Sequence, residues 1–97
     1  WLNDGKGWFA KGQIVGNGGA THQEEVQVVD YDLDGYVDII ATDHWSSFGV
    51  GISLNDGMGK FDDFNWMNPG DAGWVGIRCA DFTADGYPDT IVPDCDG

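Results

Sequence analysis

The sequence predicts an all-β fold made of four-stranded antiparallel units, present about twice in 97 residues. Three observations predict it. Apolar residues alternate with small or polar ones, most clearly at Phe48, Val50, Ile52 and Leu54 with Gly49, Gly51 and Ser53 between. The chain repeats itself: Leu2-Asn3-Asp4-Gly5-Lys6-Gly7-Trp8-Phe9 returns 52 residues later as Leu54-Asn55-Asp56-Gly57-Met58-Gly59-Lys60-Phe61. Finally, no stretch of helix length escapes Gly, Pro or strand-type alternation.

The elements follow in order. The fourth strand of a first unit is expected over residues 8–15, and a Gly-rich connection over 17–22. A complete unit comes next. Its first strand is expected at 25–29, where Val26, Val28 and polar residues alternate. The β-branched run from 36 to 42 gives the second, and 48–54 the third. Asn55-Asp56-Gly57-Met58-Gly59 is a hairpin turn, and 60–66 the fourth strand. A connection at 68–73 leads to strands at 74–80 and 87–92. Residues 1–24 thus end one unit, 25–73 form a whole one and 74–97 begin another. A repeated four-stranded unit of about 50 residues is the signature of a β-propeller blade. A ring needs at least about four blades. The stretch is therefore expected to belong to a longer propeller or to be completed by other copies. It starts at Trp1 with no initiator Met, which fits a processed product or an excerpt.

Between the first and second strands lies Asp30-Tyr31-Asp32-Leu33-Asp34-Gly35-Tyr36-Val37-Asp38. Acids stand at positions 1, 3, 5 and 9, glycine at 6. Alternate spacing lets the first three carboxylates converge inside a tight loop, and Gly35 can adopt the positive φ the turn needs. The Tyr36 carbonyl can point inward as well. Four carboxylates repel one another unless a cation sits among them. A flexible loop of hard oxygen ligands suits Ca²⁺ better than Mg²⁺, which demands octahedral geometry and keeps its waters. The stretch recurs as Asp81-Phe82-Thr83-Ala84-Asp85-Gly86-Tyr87-Pro88-Asp89. An EF-hand shares the first half of this pattern but needs Glu at position 12 and helical flanks. Position 12 is Ala41 or Val92, and the flanks read as strands.

Together, the Asp loop, the Val37-Asp38-Ile39-Ile40 strand and the Leu-Asn-Asp-Gly-x-Gly turn resemble the FG-GAP repeat of integrin α-subunit propellers, and the related VCBS modules of secreted proteins. The resemblance spans nearly the whole chain. It implies calcium in the loop joining the first two strands of each blade. The implied ligands are Asp30, Asp32, Asp34, Asp38 and the Tyr36 carbonyl, then Asp81, Thr83, Asp85, Asp89 and the Tyr87 carbonyl. Two departures stand out. Thr83 occupies a place usually held by Asp or Asn. The Phe48-Gly49 pair falls one strand later than the motif that names the family. The resemblance also implies an extracellular, secreted module that binds carbohydrate or an extracellular protein. The alternatives are an accessory or structural segment of a polysaccharide-degrading enzyme, and a purely structural repeat.

Net charge is −13, and no Lys/Arg cluster offsets it, so nucleic acid and anionic membrane surfaces are repelled. No apolar run is long enough to cross a membrane as a helix. Cys79 and Cys95 allow one disulfide, which spacing leaves open. No short Cys or His spacing supports a zinc site with His22 and His44. His44, Ser46 and Asp43 are too close in sequence for a hydrolase triad, and there is no Gly-x-Ser-x-Gly elbow. Acids committed to calcium are poor general acids for glycoside hydrolysis. No catalytic residue is assigned. Glu24 and Glu25 are expected to be solvated. Of the five tryptophans, Trp66 and Trp74 suit packing between blades. Trp45 is the candidate ligand-binding residue, a stacking face beside hydrogen-bonding His44, Ser46 and Ser47.

Overall fold

The computed structural model describes residues 1–15, 23–44, 49–67 and 76–93. The elements are β1 (Leu2–Asn3), β2 (Phe9–Ala10), β3 (Gln23–Val29), β4 (Asp38–Asp43), β5 (Val50–Ser53), β6 (Asn65–Met67), β7 (Arg78–Ala80) and β8 (Asp89–Ile91). Every pairing is antiparallel, and the described residues contain no helix. Strands β3 to β6 form one sheet in sequence order, while β1–β2 and β7–β8 are hairpins. This is the all-β, antiparallel architecture the alternation predicts. The connections at 17–22 and 68–73, Trp74, Cys95 and the Trp45 loop fall wholly or mostly outside the described residues.

The strands are shorter than the pattern suggests, for local reasons. Tyr36 and Val37 stay in the Asp loop, and β4 begins only at Asp38, whose carboxylate closes that loop. The expected fourth strand over 60–66 is interrupted. Phe61 bridges Asn55, but regular pairing resumes only at Asn65 opposite Ile52. One extra residue therefore lies on the β6 side, as in a bulge. A second register shift falls between Gln23 and Val26, at Glu24 and Glu25.

Alternation then decides what is buried. Gln27, Ile40, Ile52 and Asn65 stand in one cross-strand row, with Thr42, Val50 and Met67 in another on the same face. Against this face pack residues of the next unit. Ile40, Val50 and Ile77 make the buried core, ringed by Val29, Tyr31, Ile52, Cys79 and Val92. Cys79 carries a free thiol. On the opposite face Gly51 pairs with Trp66 and lies directly beneath its ring. Val26 and Val28 on that face are exposed, at 57% and 64%.

Two polar contacts join the units. The Gln13 side chain imitates a strand, donating to the Phe61 carbonyl at 2.9 Å and accepting from the Phe61 amide at 3.0 Å. Glu25 is not merely solvated as expected. The β3 bulge lies beside it, and its carboxylate accepts from the Ile77 amide and pairs with Arg78. The pairing partner is 53 residues away in sequence, so nothing local announces it.

Two outcomes follow from this packing. A Cβ on Gly51 would come within 2.6 Å of the Trp66 ring. Gly51→Ala should therefore cost about 1–3 kcal/mol, read as a lower urea midpoint; an unchanged midpoint would mean the ring does not rest there. The second outcome concerns acid. The Arg78 hydrogen bond above all, then its charge and the Ile77 amide, hold Glu25 below its ordinary value of 4.5 against partial burial. A depressed carboxylate stabilises above its unfolded-state value and loses that stabilisation as pH falls through the folded-state one. The pair's contribution should thus fade below pH 4.5, and Glu25→Gln should flatten that part of the stability curve. Because Arg78 is largely exposed and Glu25 only partly buried, the effect is small.

Candidate metal centre

The two Asp loops share one scaffold of amide-to-carboxylate hydrogen bonds. In the first, Asp30 Oδ2 accepts from Gly35 N at 2.9 Å, Asp34 Oδ1 from Tyr36 N at 2.9 Å, and Asp38 Oδ2 from Tyr31 N at 2.8 Å. In the second, Asp81 Oδ2 accepts from Gly86 N at 2.8 Å, Asp85 Oδ1 from Tyr87 N at 2.9 Å, and Asp89 Oδ2 from Phe82 N at 2.9 Å. Each bond has its counterpart 51 residues on. The backbone repeats too. Gly35 and Gly86 take φ of 93° and 91°, as the turn requires. Leu33 and Ala84, two residues earlier, also lie in the left-handed region at 62° and 59°. That conformation costs a non-glycine residue about 1 kcal/mol. Residue type gives no hint of it. It persists because the surrounding hydrogen bonds leave the loop no alternative, a pattern common at functional sites.

Within the first loop, Asp30, Asp32 and Asp38 each place a carboxylate oxygen within 4.8 Å of the others. Asp34 lies outside this trio, its Oδ1 engaged by Tyr36 N. Desolvation, followed by the negative charges of Asp34, Asp38 and Asp30, pushes the Asp32 carboxyl above its ordinary value. One further atom bears on what fits there. Asp30 Oδ1 is buried and has no hydrogen-bond partner. A buried anionic oxygen without a donor is costly, and crowded carboxylates add repulsion. A hard divalent cation answers both, so the donor set fits Ca²⁺.

A comparison of this sequence with known families matches an FG-GAP-like repeat over residues 30–92, more than half of the chain. The chain belongs to the FG-GAP-like repeat family. Neither the curated proteins nor the solved structures gave a match. The matched span runs from the first acid of one loop to the strand that leaves the other. It thus takes in both loops of this FG-GAP-like chain and the sheet between them.

The second loop gathers its acids differently. Asp89 Oδ2 accepts from Phe82 N, from Thr83 N at 2.9 Å and from Thr83 Oγ1 at 3.0 Å. Asp81 Oδ1, the counterpart of the orphan oxygen, accepts from Asp85 N at 3.1 Å. Among the described residues no second trio of carboxylates forms. Here Thr83 supplies a donor to Asp89 where the first loop has a further acid. Trp45, the candidate ligand-binding residue, lies outside the described residues.

Sequence reasoning missed one participant. Asp38 has no solvent exposure, and its Oδ1 accepts from Asn55 N at 2.8 Å, across the sheet on the β5–β6 turn. Its signal is present in the sequence, since Asn55 belongs to the Leu-Asn-Asp-Gly motif that also occurs at Asn3, but nothing local ties that motif to the Asp loop.

Proposed function

We propose that this chain is a calcium-binding β-propeller repeat module of a secreted protein, with loops that meet carbohydrate or an extracellular protein. The observation that carries the calcium reading is the orphaned, buried Asp30 Oδ1 beside the carboxylates of Asp32 and Asp38. Asp34 and the Tyr36 carbonyl complete the expected first set. Asp81, Thr83, Asp85, Asp89 and the Tyr87 carbonyl make the second. Calcium is favoured over magnesium because the loop offers many oxygens without rigid octahedral order.

The propeller reading is supported by how the units meet. Ile77 and Cys79 of the second unit occupy the positions of Val26 and Val28 in the first, 51 residues earlier. Ile77 is buried against the sheet that precedes it, and Cys79 packs beside it. Val26 and Val28 are exposed, and the preceding unit, of which β1 and β2 form the end, would cover them if laid on them in the same way. The rest of that unit would come from a longer chain or from a neighbouring one. Nucleic acid is not a partner for a surface of charge −13.

Two measurements check the metal. Ca²⁺ at a hundredfold excess over Kd stabilises by about 2.7 kcal/mol, so chelation should lower Tm clearly. Asp32→Ala should remove most of that increment. An identical melt with Ca²⁺ and with chelator, in protein verified metal-free, would sink the calcium reading. The second measurement ranks the sites. The first loop carries four acids against three in the second, and affinity in such loops follows charge and rigidity. Calorimetry should find the first loop tighter, with Thr83→Asp strengthening the second. A tighter second loop would contradict this ranking.

A further inference from the structure

The β5–β6 turn is bound to the loop at three places. Asn55 N donates to Asp38 Oδ1 at 2.8 Å. Asn55 Nδ2 donates to the Val37 carbonyl at 3.1 Å, while its Oδ1 accepts from Gly57 N at 3.1 Å. The Tyr36 ring lies on Gly57, where a Cβ would approach it to 2.6 Å. Gly57 has φ of 79° and cannot readily be another residue. Tyr36, Val37 and Asp38 are positions 7 to 9 of the loop. They carry two of the oxygens expected to face the cation, the Tyr36 carbonyl and the Asp38 carboxylate.

We propose that Asn55 is a positioning residue for the first loop, setting the Tyr36 carbonyl and the Asp38 carboxylate for the cation. The inference rests on the calcium reading of that loop. The side chain must be an amide. One end has to donate to a carbonyl and the other to accept from an amide, which neither a carboxylate nor a methyl group can do. Asp38 shows why orientation matters. Its two oxygens are gripped from opposite sides by Tyr31 N and Asn55 N, so the remaining lone pairs have a fixed direction. Outer partners that orient ligands are commonly worth about tenfold to a hundredfold in metal affinity. Coupling is reciprocal: if the turn orders the loop for calcium, calcium in the loop must order the turn. The second loop offers a contrast. Asp89 is held only from within its own loop among the described residues, by Phe82 and Thr83.

The test is calorimetric titration with Ca²⁺ alone, together with amide hydrogen exchange at Asn55 and Gly57. Asn55→Ala should weaken the tighter site by about tenfold or more, in line with other orienting partners. Asn55→Asp discriminates further. It adds negative charge beside the loop, so charge alone would tighten binding, whereas loss of the Val37 contact should weaken it. Asn3→Ala, in the matching turn of the preceding unit, should leave the tighter site unchanged. In the unaltered chain Ca²⁺ should slow exchange at Asn55 and Gly57. A merely structural role would lower the melt in chelator and in calcium alike; positioning shrinks the difference between them. Wild-type-like affinity in Asn55→Ala, or tighter binding in Asn55→Asp, would overturn the proposal while leaving calcium binding intact. A wild-type chain that binds no Ca²⁺ would overturn both.

Discussion

The fold depends on one buried carboxylate. Asp38 has no exposure to solvent, and an ionised group in that position is tolerated only when its oxygens are satisfied. One is met by Tyr31 N from within the loop, the other by Asn55 N from the neighbouring hairpin. Removing either amide would leave a buried lone pair unmatched. The acid therefore closes the loop, starts β4 and draws the β5–β6 turn onto the loop at once. Its neighbour Ile40 sits on the same strand face and anchors the core against Ile77 of the next unit. Site and core share a strand, so the geometry of the loop is set by packing as much as by its own residues.

That arrangement explains why crowded charge is sustained on the other side of the loop. Asp30, Asp34 and Asp38 each have one oxygen held by a backbone amide of the loop, which fixes the three side chains in place. What remains unsatisfied is narrow and specific: one oxygen of Asp30, together with an Asp32 carboxyl that its surroundings disfavour as an anion. In the second loop Thr83 donates to Asp89, and the Asp85 amide donates to Asp81 Oδ1, the counterpart of the orphan oxygen. The two loops are alike in backbone and unlike in how their acids are partnered.

Much of this could be read from residue order, because the deciding signals are local. Phe48 to Leu54 alternates cleanly, and β5 lies inside it. The acids at alternate positions lie in a loop between two strands, where period-two flanks placed them. The family match covers the Asp loops and the second copy of the Leu-Asn-Asp-Gly turn that carried the resemblance, while the first copy, at residues 2–9, lies outside it. Contacts set by the tertiary fold were not legible. Glu25 reaches Arg78 across the join between units, and no neighbour in sequence marks it as anything but a surface acid. The Trp66 ring over Gly51 depends on a one-residue register shift between Phe61 and Asn65 that alternation does not reveal. Leu33 and Ala84 hide a left-handed backbone behind ordinary side chains.

Calcium in the first loop is tested most directly by diffraction from crystals grown in Ca²⁺, recorded at a long wavelength where calcium scatters anomalously. A calcium site there predicts a peak among Asp30, Asp32 and Asp38, ringed by six to eight oxygens at about 2.3–2.6 Å, with Asp30 Oδ1 among them. An ordered loop with no peak, and with only water or a hydrogen-bond donor on Asp30 Oδ1, would contradict it.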